Sequence, residues 1–70
     1  MGKDISEEAL GDAKILASRI SPYDYGTLKM YWEMKSYALI AYMLRRYGFE
    51  YKGLTHLEIL VEKLIRTREE

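Results

Sequence analysis

This sequence is defined first by what it lacks. It has no cysteine, so neither a disulfide nor a thiolate metal site can staple the fold. Its single histidine cannot build a histidine-based metal cluster. Asparagine and glutamine are absent as well, while Glu, Lys, Arg and Tyr are plentiful. Loss of thermolabile residues with gain of charged ones is the compositional mark of hyperthermophile proteins, and the expected source is thermophilic and cytoplasmic. The formal net charge is +0, with 11 basic and 11 acidic residues. That balance argues against a nucleic-acid binder driven by bulk charge. No apolar run approaches the length of a membrane span, and no signal-peptide pattern precedes the first helix signal. No glycine-rich phosphate loop is present, because Gly48 and Gly53 flank aromatic and charged residues.

Seventy residues are read as one domain, 1–70. A chain this short buries a small fraction of its surface, so a lone core is marginal. With disulfides and cysteine- or histidine-based metal sites excluded, assembly with another chain is the remaining common source of stability.

What is present is helix punctuation. Ser6 reads as an N-cap with Glu7 and Glu8 in the first turn, where carboxylates suit the positive end of the helix dipole. Ala9, Leu10, Ala13, Leu16, Ala17 and Ile20 then follow 3-4 spacing. Pro22 pushes Ser21 out of the α region and ends this first helix. Ser21-Pro22 opens a second, with Ser as cap and Pro at the first helical position. Its pattern runs without a glycine or proline from Thr27 to Tyr47, where Arg45 and Arg46 complement the dipole and Gly48 supplies the left-handed stop. A third helix is expected to start from a Thr55 cap with Glu58 three residues later, the capping-box pattern. His56 is then the first helical residue, a structural position with no Ser or carboxylate constellation pointing to it. The expected fold is all-α: a three-helix up-and-down bundle, helices about 6–20, 22–47 and 56–67, with a long central helix of roughly 38 Å, completed by dimerisation.

The central helix carries the functional expectation. Met30, Met34, Tyr37, Ala41 and Leu44 recur at 4-3-4-3 spacing like a coiled-coil seam. Leu28, Tyr31, Trp32, Leu39, Tyr42 and Met43 make a second apolar side. A helix apolar all round is normally buried all round, and two single-stripe neighbours cannot cover it. The sequence therefore predicts a non-catalytic oligomerisation or protein-interaction module, such as a small accessory subunit. Its partner is itself, as a homodimer, or another protein chain; no cofactor and no metal are expected. An alternative places RNA or DNA on Arg45, Arg46 and Lys52, with Tyr42, Tyr47 and Tyr51 nearby for stacking.

Tyr31 to Leu60, YWEMKSYALIAYMLRRYGFEYKGLTHLEIL, resembles the middle of the HEPN domains (higher eukaryotes and prokaryotes nucleotide-binding). The matching residues are Tyr37, Ala38, Leu44, Gly48, Glu50, Thr55, His56 and Leu57. The resemblance covers about half the chain and implies an all-α, usually dimeric bundle. Many such domains are ribonuclease-like or toxin components, and others are non-catalytic partners. The catalytic members carry Arg followed by His after four to six residues. Here Arg45 and Arg46 lie too far before His56, and the fourth helix of a full domain is expected to be missing, so no catalytic residue is carried over. A reduced, non-enzymatic member completed by a second copy fits these residues, and a HEPN-type RNase-like protein using Arg45, Arg46, Lys52 and His56 is the alternative.

Overall fold

The long central helix is in fact two helices. The computed structural model describes residues 5–69 and contains α1 (Ile5–Arg19), α2 (Pro22–Glu33), α3 (Tyr37–Arg46) and α4 (Leu54–Glu69), with no strand among the described residues. The all-α expectation holds, and the helix count is four rather than three.

The break lies at Met34-Lys35-Ser36. Lys35 takes φ 57, the left-handed region. Its N–H donates to the Trp32 carbonyl at 3.1 Å, and the Ser36 N–H reaches back to the Tyr31 carbonyl at 2.9 Å. These two bonds are a Schellman stop. The same pattern ends α3, where Gly48 (φ 88) donates to Arg45 at 3.0 Å and Phe49 donates to Leu44 at 2.9 Å. One stop is written with glycine and the other is not, which is why only one is visible as sequence punctuation. A side chain in the left-handed region costs roughly 1–2 kcal/mol. Lys35→Gly is therefore expected to stabilise the folded monomer by about 0.5–1 kcal/mol, after glycine's own entropic cost. A higher denaturant midpoint at unchanged slope is the measurement that checks this.

The other boundaries follow local chemistry. Ser21 caps α2 as expected: its hydroxyl accepts from the Asp24 N–H at 3.1 Å, with proline next in the chain. The capping box at Thr55 does not form. Helix α4 begins two residues earlier, at Leu54, and the Gly53 carbonyl (φ 95) accepts the first helical bond, from Leu57 at 3.1 Å. Thr55 and Glu58 are then inside the helix.

Packing divides into two pairs. Helix α1 lies against α4, and α2 lies against α3. Ala9, Ala13 and Ala17 recur every four residues on the buried side of α1, where their small size admits the larger side chains of α4: Leu57, Leu60, Val61 and Leu64. Leu28 from α2 and Ile40, Met43 and Leu44 from α3 complete one cluster. The two α-hairpin ends are tied by Tyr47, whose hydroxyl donates to the Asp24 carboxylate and accepts from the Ser21 N–H at 3.5 Å. No helix among the described residues is long and apolar enough to cross a membrane.

Candidate functional site: the outer face of α2

The five residues of the expected seam do not share a face. Met30 and Met34 are 51% and 62% exposed on α2. Tyr37 is half-buried at the start of α3, its ring edge-on to Trp32 at 6.1 Å. Ala41 is buried, and Leu44 is fully enclosed in the chain's own core. The left-handed turn at Lys35 is the reason. It reverses the chain, so the 4-3-4-3 repeat is cut after its second member and the later members point into the monomer.

What α2 presents outward is a different stripe. Tyr23, Gly26, Met30 and Met34 follow 3-4-4 spacing, and all four are exposed, Tyr23 at 82%. Leu28 is the one fully buried side chain of this helix, while Tyr25, Tyr31 and Trp32 pack partly against the core. Both sides of α2 are thus apolar, and only one is covered. Tyr23 and Gly26 were hidden from sequence reading because they precede the apparent seam. Their signal was the same helical spacing continued toward the N-terminus. At Gly26 the helix backbone itself is the surface, and no atom lies near where a Cβ would stand.

The basic residues are also separated. Arg45 and Arg46 line a surface cleft at the end of α3 together with Ala38, Ala41, Tyr42 and Tyr51. Lys52 is not part of it. Its ammonium pairs with Glu8 at 3.0 Å, fastening the α3–α4 loop to α1 beside Glu7 and Asp12. Glu8 therefore serves as a docking point for that loop.

His56 is 1% exposed. It occupies the third position of α4 rather than the first, and its Nδ1 accepts the Lys52 N–H at 2.9 Å. With Nδ1 an acceptor, a neutral ring carries its proton on Nε2, which is buried without a hydrogen-bond partner among the described residues. A ring so enclosed cannot meet a substrate, and its visible task is to satisfy a loop N–H that no helix reaches. No group of three potential metal ligands occurs among the described residues.

The end of α4 forms a polar clasp. Arg68 donates to the Ala17 carbonyl at 2.7 Å and the Ile20 carbonyl at 3.3 Å, satisfying orphan acceptors at the end of α1. Its guanidinium lies 5.3 Å from the Tyr25 ring centre, a cation–π contact. Tyr25 donates its hydroxyl to Glu69 at 2.7 Å, and Lys29 joins the same carboxylate at 3.3 Å. Burial, then the Glu69 hydrogen bond and charge, push the Tyr25 hydroxyl up from 10.0 to about 12, with Arg68 opposing. The folded chain thus holds this proton more tightly than the unfolded one. The linked stability is fully present below pH 10 and is lost as pH rises through about 12. Melting curves between those limits should show a falling midpoint, and Tyr25→Phe should flatten the fall.

No protein-family model matches the chain, and no curated protein or solved structure matches it either.

Proposed function

We propose that this chain is a non-catalytic self-association module, a small accessory subunit that joins a second copy through the outer face of α2. The observation that carries the reading is the exposure of Met30 and Met34 in line with Tyr23 and Gly26, on a helix whose opposite side already faces the core. Contiguous exposed apolar surface of this kind marks an interaction site, and Met and Tyr are enriched in interface cores. A two-fold arrangement suits the stripe, because an isologous contact sets the same patch against itself. Zero net charge adds no long-range repulsion between identical copies. The HEPN-like stretch supports the same reading only in that such bundles are usually dimeric; the fourth helix is present, so no helix is left for a second copy to complete.

Light scattering over a wide concentration range tests it. The expected mass rises from 8.3 kDa toward twice that value. A constant monomer mass into the millimolar range rejects it.

A second reading, nucleic-acid or RNase-like, rests on one arrangement: Arg45 and Arg46 share a cleft with Tyr42 and Tyr51. Guanidinium groups for phosphates beside rings for bases are the elements of single-strand binding. It differs from the sequence expectation in losing Lys52 to Glu8 and His56 to the core. Mobility shifts with short RNA and DNA at low and moderate salt decide it.

A further inference from the structure

We infer that two copies join by exchanging halves about Lys35, so that α2 and α3 of each chain fuse into one continuous helix. The inference rests on the self-association reading for the presence of a second copy, and it specifies how the copies meet.

The topology is the first support. Lys35 divides the chain into α1–α2 and α3–α4, and the two main packings, α1 on α4 and α2 on α3, both cross that division. Polar contacts between distant described segments cross it as well. They are Tyr25 and Lys29 with Glu69, Lys52 with Glu8, Arg68 with the Ala17 and Ile20 carbonyls, and Tyr47 with Asp24 and Ser21. Neither half carries a helix–helix packing of comparable extent within itself. Each is covered by the other, and the other half of a second copy offers the same surface. An exchange therefore keeps these contacts and changes only which chain supplies them.

The hinge is the second support. Lys35 stands in the left-handed region without being glycine, and the Ser36 hydroxyl makes no cap bond for α3. From Thr27 to Tyr47 no glycine or proline opposes a helix. In the closed chain the Lys35 N–H bonds Trp32 and the Ser36 N–H bonds Tyr31. In a straight helix the two donors simply trade acceptors, each bonding four residues back. Tyr37 and Ala38, at the open start of α3, gain the Glu33 and Met34 carbonyls. The exchange relaxes the backbone at Lys35 and gives up the edge-to-face contact of Trp32 with Tyr37.

The third support is what straightening aligns. Met30, Met34, Ala38 and Tyr42 are each exposed in the closed chain. On a fused helix they recur every four residues as one stripe, whose middle, Met34 and Ala38, lies beside the two-fold axis at the new junction between the copies.

The absence of cysteine allows clean labelling. Pro22→Cys/Arg46→Cys chains carrying spin labels are refolded with excess unlabelled chain, and the intrachain distance is read by pulsed resonance in the dimer fraction. Exchange predicts about 36 Å, from 24 residues at about 1.5 Å each. The closed hairpin predicts near contact, because Tyr47 bonds Asp24 at that end. Lys35→Gly, which frees the turn and weakens the straight helix, should raise the dimer dissociation constant roughly 100-fold or more. Lys35→Ala with Ser36→Ala should lower it. A dimer with the short distance, or one unmoved by Lys35→Gly, overturns the exchange and leaves association by the α2 face standing. A monomer at every concentration overturns both.

Discussion

Leu44→Ala is expected to unfold most of the population rather than separate a dimer. Leu44 has no exposed surface and belongs to the cluster shared by all four helices. Removing its branched end loses burial and leaves a cavity, a change that costs about 3–5 kcal/mol for Leu→Ala in a core. A chain of 70 residues has on the order of 4–10 kcal/mol in total. Circular dichroism should show a cooperative transition displaced to much lower temperature, or no transition at 25 °C. Had Leu44 belonged to an intermolecular seam, the variant would remain helical and lose mass in light scattering. The two outcomes are separable in one preparation, and the second would contradict the packing described above.

Met30→Glu combined with Met34→Glu is expected to do the opposite. Both side chains are more than half exposed in the monomer, at 51% and 62%, and surface substitutions of this kind change stability by about 0.5 kcal/mol or less. The helical signal and thermal midpoint of the dilute chain should therefore stay near those of the parent. Self-association should weaken by 100-fold or more. A two-fold contact would bury four carboxylates, and an uncompensated buried charge costs several kcal/mol before any pairing. Sedimentation at rising concentration reads the result. An unaltered dissociation constant would place the interface elsewhere and remove the observation on which the proposed function rests.

These two variants mark where sequence reading succeeded and where it stopped. Ser21-Pro22 and Gly48 were legible because their chemistry is local: a hydroxyl beside a free N–H, a ring with fixed φ, a residue without Cβ. The buried stripe of α1 was legible because 3-4 spacing survives whatever lies opposite, Leu10 alone of its expected members remaining exposed. The stop at Lys35 was not legible, since nothing in Glu33-Met34-Lys35-Ser36 disfavours a helix. The seam from Met30 to Leu44 inherited that error. At Thr55 a plausible cap lost to Gly53, whose freedom at φ 95 turns the loop into the helix two residues sooner. Lys52 is a surface cation in sequence, and only the approach of α1 reveals that Glu8 neutralises it. His56 could be placed near a helix start, but its enclosure depends on the residues packed around it.

The amino-acid sequence alone determined that this chain is helical, that it has neither disulfide nor histidine metal site, and that its middle third is richer in apolar side chains than one stripe requires. Those properties depend on composition and on contacts within a few residues. The tertiary structure decided the rest: that the middle third folds back on itself, which of its apolar side chains the monomer hides, and which remain on the outer face of α2. Packing makes that choice because burial of Leu28, Ile40, Met43 and Leu44 against α1 and α4 can hold one residue in an unfavourable backbone state, and no local pattern records the energy of contacts between residues far apart in the chain.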